Sequence, residues 1–307
     1  MENETAGDPM SDKKWQRSSL RHLSVKLSEN GHPVSHTTVE RLLKKLKYSL
    51  KANVKRLAGA EHPDRNTQFE YLKRQKDEFI AAGRPVISVD TKKKELIGNF
   101  KNAGRAWCQK AEAVNDHDFD QDALGKAVPY GIYDLAHNLG YVYVGKSADT
   151  PEFAVAMITR WWQTEGCHLY PGQNQLLILA DAGGSNGCRP HLWKQQIQSQ
   201  LADQLGLEVT VCHYPTGTSK WNPVEHRLFG PISLNWASKP LRTFEIMLAY
   251  IRGTVTETGL QVKAFLVEQV FEKGIKVAEE IFQAIHIQSH EICPRWNYTI
   301  RPHLVCT

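Results

Sequence analysis

The sequence has no run of 18 apolar residues, no CxxC pair and no internal repeat in its 307 residues. The first absence excludes a membrane-spanning helix, which needs about 20 consecutive apolar residues. Because the six cysteines are scattered without zinc-ligand spacing, we expect reduced thiols, several of them buried as small apolar side chains. The polar and acidic residues 1–12 lack the apolar core of a signal peptide, which predicts a disordered tail and a cytoplasmic protein.

The charge of the chain is concentrated near its N-terminus. Hydrophobic residues make up 41% and charged residues 23% of the sequence, as in an ordinary globular protein, and the net charge is +5. Between Lys13 and Arg56 the chain has 12 lysines and arginines against two acids, which gives this segment a net charge of +10. A basic block beside a nearly neutral remainder indicates a module that binds a polyanion.

The basic block has the pattern of two helices joined by a turn. Apolar residues recur on one face from residue 18 to 30, Asn30-Gly31 ends this helix, and Ser35 is suited to cap a second one. In a helix-turn-helix the second helix lies in the major groove of DNA. The side chains predicted to reach bases or phosphates are Ser35, His36, Thr37, Thr38, Arg41, Lys44 and Lys45. A solvated helical hairpin with a basic face is the alternative.

The rest of the chain alternates between strand and helix patterns, which predicts an α/β fold with a mixed sheet flanked by helices. We expect residues 95–100 to form a hairpin with strand 85–91, and a second hairpin to turn at residues 136–139. Thr150 or Asp149 is suited to cap a helix that begins at Pro151. The predicted helices are 66–82, 151–162, 190–205 and one within 239–260, and the predicted strands are 85–91, 95–100, 131–135, 140–144, 176–180 and 208–213.

Three acids stand at the ends of such elements. Asp90 closes the apolar run Val86–Val89, and Asp181 closes the run 176–180 ahead of a glycine-rich loop. Glu225 follows Asn222 and Pro223, which suit the cap and the first turn of a helix. Taken singly, each acid has a structural alternative: a turn residue, a turn-capping Asp and a capping-box Glu.

Taken together, the three carboxylates have the chemistry of a metal-dependent phosphoryl-transfer site. Mg²⁺ prefers oxygen ligands, usually one or two carboxylates with water and phosphate. Two such ions, about 4 Å apart, stabilise both the attacking and the leaving oxygen of an in-line displacement. The sequence therefore predicts that Asp90, Asp181 and Glu225 converge on one or two ions.

An Asp at a strand end, a second Asp at a strand end and a Glu on a helix is the order of acids in the RNase H-like integrases and transposases. The 43 residues between Asp181 and Glu225 fall within the usual span, and Asn222-Pro223-Val224-Glu225 resembles the signature of mariner-like enzymes. The chain resembles still more closely the ISAzo-type bacterial insertion-sequence transposases, over most of residues 31–300. The matching stretches are HPVSHTTVERLLKKLKYSLKAN, HPDRNTQFEYL, VISVDTKKKELIGNFKNAGRAW, HDF, GKAVPYGIYDLAHN, EFAVAMITRWW, LLILADAGGSNG, LWK, VCHYPTGTSKWNPVEHRLF and RWNYTI.

This resemblance implies a DDE transposase whose triad of metal ligands is Asp90, Asp181 and Glu225, with Mg²⁺ or Mn²⁺ as cofactor and two ions in the site. It implies cleavage at element ends and strand transfer into target DNA, by a homodimer that binds double-stranded terminal repeats and target DNA without any membrane. It also implies a DNA-associated protein with a helix-turn-helix region and linker at 13–65, an RNase H-like catalytic domain at 66–260 and a C-terminal extension at 261–307. His226 and Arg227, which follow the Glu as in the family, are expected to contact DNA or to support the acids.

Three further predictions concern residues near these acids. Lys92 and Lys220 are predicted to hold phosphates, with a solvated charge run as the alternative, and Gly183, Gly184 and Asn186 to let DNA pass close to the second acid. Trp221 either packs in the core or stacks on a flipped base. Two other functions also fit the pattern: a truncated, non-catalytic protein that occupies element ends, and an RNase H-like DNA nuclease.

Overall fold

The computed structural model of the chain describes residues 5–7, 14–16, 18–49 and 62–303, in two compact units, Met1–Ala58 and Gly59–Thr307. In the first unit, strands β1 (Thr5–Gly7) and β2 (Lys14–Gln16) pair antiparallel. The other residues of the predicted tail 1–12 lie outside the described part of the chain. No helix among the described residues is long and apolar enough to cross a membrane.

The first unit contains the two predicted helices, α1 (Leu20–Glu29) and α2 (His36–Lys45). Ser35 caps α2, because its hydroxyl accepts a hydrogen bond from the Thr38 N–H at 3.2 Å. Leu23 and Val39 are the buried residues of the two helices. The predicted helix pair is thus confirmed, whereas its role as a DNA-reading helix-turn-helix stays a prediction.

The second unit is built on one mixed sheet with helices on both faces, as the sequence predicted. Its helices are α3 (Arg65–Ala81), α4 (Pro151–Trp161), α5 (Cys167–Leu169), α6 (His191–Gln196), α7 (Gly230–Asn235), α8 (Phe244–Arg252) and α9 (Glu279–Gln283). Its strands are β3 (Val86–Thr91), β4 (Glu95–Ile97), β5 (Gly125–Asp134), β6 (Leu139–Gly145), β7 (Gln175–Asp181), β8 (Glu208–Tyr214), β9 (Gln261–Val267), β10 (Ile287–Ser289) and β11 (Asn297–Ile300). Three π-helical segments continue or precede helices, at Trp162–Gly166, Ile197–Asp203 and Val224–Phe229, and two 3₁₀ turns lie at Asp120–Asp122 and Ser219–Trp221.

The strands lie in the order β10-β11-β8-β7-β3-β5-β6-β9, and β4 pairs with β5 outside this path. Strands β3, β7 and β8 are parallel, so their carboxyl ends lie at one edge of the sheet. The hairpin of β5 and β6 is confirmed, with Thr150 as the cap of α4. The predicted hairpin of 95–100 with 85–91 is wrong: β4 pairs with β5, because β5 and β7 already occupy both sides of β3.

The segment after residue 260 also belongs to this sheet. Strand β9 extends it in parallel beside β6, and β11 pairs antiparallel with β8. The buried residues of α4 and α6 form a core with one face of the sheet. Residues of α3 pack on the other face over β3, β7 and β8, while Val224–Phe229, α7 and α8 pack over β5 and β6. Cys188 and Cys212 are buried, as expected for small apolar side chains.

Candidate active site

The first two acids meet at the carboxyl edge of the sheet. In the parallel pairing of β3 with β7, Val89 lies opposite Ala180, so Asp90 and Asp181 are the next residues on the two strands. Residues in register on neighbouring strands project from the same face of a sheet. The strand pairing itself therefore brings the two carboxyl groups together.

The third acid arrives on a segment that packs over the sheet. Glu225 lies in the π-helical segment Val224–Phe229, in which Val224, Leu228 and Phe229 are buried. A Cβ at Gly131 of β5 would lie 2.5 Å from the Phe229 ring, so glycine at this position lets the segment approach the sheet. Such single π-helical turns are frequent at functional sites.

Asn222 does not cap this segment, contrary to the expectation from its sequence context, and no side chain does. Its amide is used in tertiary contacts instead. The Asn222 Nδ2 donates to Asp181 Oδ1 at 3.1 Å and to the Val89 carbonyl at 3.4 Å. Its Oδ1 accepts from the Ser88 hydroxyl, whose oxygen in turn accepts from the Val224 N–H at 3.0 Å. This Ser88–Asn222 latch ties the Glu225 segment to both strands that carry the other acids.

Sequence reasoning missed Ser88 as a functional residue. It is completely buried in β3 between apolar neighbours. A buried hydroxyl must find hydrogen-bond partners, so a serine within Val86–Val89 was the available signal. The partners themselves lie about 134 positions away along the chain, where no local pattern points to them.

The pKa values of the three acids are shifted by burial and by their neighbours. Burial, with the negative charges of Asp181 and Glu225, raises the pKa of Asp90 to about 8 against the opposing hydrogen bond from the Thr91 N–H. Burial, with the negative charge of Glu225, raises the pKa of Asp181 to about 6 against the opposing hydrogen bond from Asn222. Burial likewise raises the pKa of Glu225, while a hydrogen bond with Asp90 and the charges of Lys92 and His226 lower it.

These three groups fit a divalent cation by their chemistry. They are hard oxygen donors, which divalent cations such as Mg²⁺ prefer. Burial and mutual repulsion raise the pKa values of Asp90 and Asp181, and no neighbouring positive charge brings these values back to the ordinary range. Among the residues described, no three His, Cys, Asp or Glu side chains are already placed as a metal cage. Asp90 and Glu225 are close enough to influence each other's pKa through a hydrogen bond, which requires a proton on one of the two carboxyl groups.

A buried network of hydrogen bonds holds the backbone of Asp181. The His213 Nδ1 lies 3.0 Å from the Asp181 carbonyl, and its Nε2 lies 3.1 Å from the Tyr298 hydroxyl. Burial lowers the pKa of His213 to about 4, so the ring is neutral at physiological pH. Trp193 donates to the same Tyr298 hydroxyl at 2.9 Å. Strand β11 thereby helps to fix the end of β7, a role that the sequence did not indicate for the C-terminal segment.

The lysines and aromatic residues around the acids have distinct surroundings. Lys92 is largely buried, with its ammonium 2.6 Å from Glu95 and 4.7 Å from the centre of the Trp236 ring. Its positive charge also lowers the pKa of Glu225. Lys220, His226 and Arg227 are exposed. Trp221 is 54% exposed, so its interpretation as a core residue is wrong. It packs against the edge of Phe69 on α3.

The glycine-rich loop after Asp181 is partly open and partly fixed. Gly183 and Gly184 are exposed with no atom within 4 Å of the position of a Cβ, so another backbone is able to approach there. Asn186 is buried and accepts a hydrogen bond from the Tyr130 hydroxyl at 3.0 Å, so its side chain is not free for DNA.

Of the residues predicted to face DNA at the start of α2 and along it, some are engaged in contacts within the protein and others are exposed. Ser35, Thr37 and Thr38 hydrogen-bond one another within the cap, and Lys44 forms an ion pair with Glu40 at 2.6 Å. His36, Arg41 and Lys45 are exposed.

We expect the substitution Ser88→Ala to lower both stability and activity, because it leaves the buried Val224 N–H and the side-chain Oδ1 of Asn222 without the hydroxyl that binds them. The stability loss should be about 1–3 kcal/mol, the usual penalty for an unsatisfied buried group. The DNA cleavage that the sequence resemblance implies should fall about tenfold or more, since misplacing a reacting group by about 1 Å has effects of this size. Urea unfolding and a cleavage time course measure the two effects.

The matched control is Thr210→Ala, which removes a buried hydroxyl pair with Thr299 at 3.0 Å and touches none of the acids. It should lower stability while cleavage stays near that of the unaltered protein. Equal cleavage by the two variants would show that the Ser88–Asn222 latch does not contribute to the function of the site.

Comparison with known proteins identifies the family. Residues 1–302 match the sequence model of the family described as Rhodopirellula transposase DDE domain. No curated protein matches the chain. Among solved structures, the Mos1 transposase paired-end complex with the left transposon end is similar at 16% identity and a TM-score of 0.44, with 78% of this chain and 71% of that chain covered. The mariner Mos1 paired-end complex with Mg is similar at 14% identity and a TM-score of 0.45, with 78% and 72% covered. Because the family match spans almost the whole sequence, the chain belongs to the DDE-domain transposases, enzymes that cleave DNA and transfer its strands.

Proposed function

We propose that Asp90, Asp181 and Glu225 are the catalytic acids of this transposase and that together they hold two Mg²⁺ or Mn²⁺ ions. Enzymes of this family use divalent metal ions. The observation that carries the assignment is the mutual influence of the three carboxyl groups, which come from two neighbouring strands and a segment latched onto them. When bound, such ions activate water as a nucleophile and stabilise the leaving 3′-oxygen.

The protein's own groups prepare this site in three ways. The Thr91 N–H donates to Asp90 Oδ1 at 2.8 Å, and Asn222 donates to Asp181 Oδ1, so one oxygen of each carboxylate is oriented and the other is left for a ligand. Asp90 and Glu225 must both be deprotonated to act as ligands, which makes ion binding tighter at higher pH. The positive charge of Lys92 lowers the pKa of Glu225 and assists its deprotonation.

We propose that DNA approaches across the exposed residues beside these acids. Gly183 and Gly184 give room for a phosphodiester backbone, and the exposed Lys220, His226 and Arg227 supply positive charge or hydrogen-bond donors next to Glu225. The 3′-hydroxyl freed by the first cleavage then serves as the nucleophile on target DNA at the same acids. Catalysis rests on positioning and charge neutralisation, without a covalent intermediate with the protein.

The test uses the full chain and duplex DNA that carries the terminal inverted repeat found beside its gene. With Mg²⁺ or Mn²⁺ we expect cleavage at the repeat boundary, followed by joining of the 3′-end to a plasmid target. Cleavage of branched DNA in preference to the repeat would instead indicate a structure-specific nuclease. Tight binding of the repeat without any cleavage would indicate a protein that only occupies element ends.

We propose further that the N-terminal unit recognises the terminal repeats and that two chains act together on two ends. The concentration of positive charge in residues 13–56 and the exposure of His36, Arg41 and Lys45 on α2 support recognition of DNA by this unit. The division of the chain into a DNA-binding region at 13–65, a catalytic domain at 66–260 and a C-terminal extension stays part of this proposal.

The double substitution Arg41→Ala, Lys45→Ala should weaken binding to the repeat without changing the fold. Each lost phosphate contact reduces the slope of log K against log salt concentration by about 0.9, so the slope should fall by about two. Fluorescence anisotropy at salt concentrations from about 50 to about 200 mM measures this slope. Lys73→Ala, on the exposed face of α3, is the control. An unchanged salt slope in the double variant would show that the repeat binds to another part of the protein.

A further inference from the structure

A cavity of about 260 Å³ lies beside the proposed catalytic edge, and the preceding assignments give it no role. Ala182, which directly follows Asp181, and Thr216, just after β8, line it. The cavity therefore opens outside the carboxyl ends of β7 and β8, where ligands of open α/β sheets bind. All of its lining residues belong to the second unit.

The walls of this cavity are well anchored. Trp296 is buried, its N–H donates to the Cys293 carbonyl at 2.8 Å, and its own carbonyl accepts from the His213 N–H at 2.9 Å. The His62 ring lies 4.7 Å from the Trp296 ring, centre to centre, at an interplanar angle of 59°. The facing wall is closed by the hydrogen bond from the Cys188 N–H to the Ala182 carbonyl at 3.3 Å. The cavity is thus preformed and bordered by an aromatic pair.

Two arginines lie at the cavity, and both are exposed: Arg189 and Arg295. Within the part of the chain that the structure describes, neither makes an ion pair or a hydrogen bond. Asp64 is the one acid among the lining residues, and it lies 3.6 Å from His62. Unpaired guanidinium groups beside an aromatic wall suit a ligand that combines a phosphate with a flat ring.

We infer that this cavity binds one unpaired nucleotide of the DNA strand engaged at Asp181, with its phosphate on Arg189 and Arg295 and its base against His62 and Trp296. The aromatic pair and the two exposed arginines at one cavity of about 260 Å³ match the ring and the phosphate of a nucleotide. The inference rests on the proposed function, because the catalytic edge is what brings a DNA strand to the cavity. It adds that the substrate has a locally unpaired nucleotide next to the second acid.

The experiment measures binding of a short single-stranded oligonucleotide that contains 2-aminopurine, and of the duplex with the same sequence, to the full chain in EDTA. The unaltered protein should bind the single strand and quench its fluorescence, because the base stacks on aromatic rings. The double substitution Arg189→Ala, Arg295→Ala should weaken single-strand binding at least tenfold and reduce the salt slope by about 0.7 for each arginine. Duplex binding should change less than about twofold, since the N-terminal unit supplies it.

Two further variants distinguish the contribution of the base to binding from that of the phosphate. His62→Ala should reduce the quenching while leaving the salt slope unchanged, because it removes a ring and no permanent charge. Arg105→Ala, an exposed arginine that does not line the cavity, should match the unaltered protein in every measurement.

Equal losses on the single strand and the duplex would overturn the inference and indicate a general basic surface. A change in oligomeric state in place of a change in DNA binding, measured by sedimentation, would overturn it in favour of a protein partner. Because no cleavage is measured, a failure here is distinct from a failure of the catalytic assignment: a protein that cleaves repeats but does not bind the single strand would lose only this inference.

Discussion

Asp90→Asn, Asp181→Asn and Glu225→Gln should each reduce metal-dependent cleavage of element-end DNA by about a thousandfold or more. Each replaces a carboxylate by a neutral amide of nearly the same shape, so an ion loses a charged ligand while the packing around it is kept. An ion that stabilises transition-state charge contributes several kcal/mol, and each 1.36 kcal/mol corresponds to a factor of ten in rate. Single-turnover cleavage with Mg²⁺, and again with Mn²⁺, measures the loss.

The accompanying controls show that the loss belongs to the site. Binding to the terminal repeat, measured in EDTA, should stay within about twofold, because the exposed basic residues are untouched. Asp116→Asn, at an acid whose side chain is 94% exposed, should cleave normally. Any one of the three amide variants that still cleaves at a normal rate would show that its acid is not part of the site.

The second large effect is a loss of stability of the metal-free protein as the pH rises from about 4 to about 8. Asp90 has a pKa of about 8 in the folded chain, against 3.8 as its ordinary value. Between these values the folded state holds a proton that the unfolded state has released. Stability therefore falls with rising pH across this window, by at most about 1.4 kcal/mol per pH unit for one proton. Asp181, with a pKa of about 6, adds to the slope between about 4 and 6.

Asp90→Asn should remove most of this dependence of stability on pH. It should also stabilise the metal-free protein at pH 8 by roughly a few kcal/mol, as the linkage relation predicts. Urea midpoints in EDTA at pH 5, 6.5 and 8 measure the effect for the unaltered chain, for Asp90→Asn and for the control Asp116→Asn. Adding Mg²⁺ to the unaltered chain should restore stability more at pH 8 than at pH 5, because ion binding requires deprotonated ligands. Stability that rises between pH 5 and pH 8 in EDTA would contradict the proposed repulsion among the acids.

Activity and stability are thus expected to oppose each other at the same residues. The buried acids destabilise the metal-free fold, and the Ser88–Asn222 latch stabilises the arrangement that brings them together. Asp90→Asn should yield a more stable and inactive protein, whereas Ser88→Ala should yield a less stable and less active one. This difference in sign separates the acids from the residues that position them.

The amino-acid sequence by itself determined where the acids stand in the secondary structure. The apolar runs before Asp90 and Asp181 predict strands that end at or one residue beyond these acids, and neighbouring residues indicate caps at Ser35 and at Thr150 or Asp149. Such features depend on side chains within a few positions of one another, so local pattern is enough to find them.

Only the tertiary structure decided the partner of β4, the place of β11 beside β8 and the contacts of Asn222. Asn222 illustrates the reason: its local sequence favours a helix cap, but the buried hydroxyl of Ser88 and the carboxylate of Asp181 bind the two ends of its side-chain amide and hold it in the site. These partners lie far apart along the chain, and each gains its hydrogen bond only once the sheet has formed. The raised pKa of Asp90 has the same origin, since burial and the approach of two other acids exist only in the assembled fold.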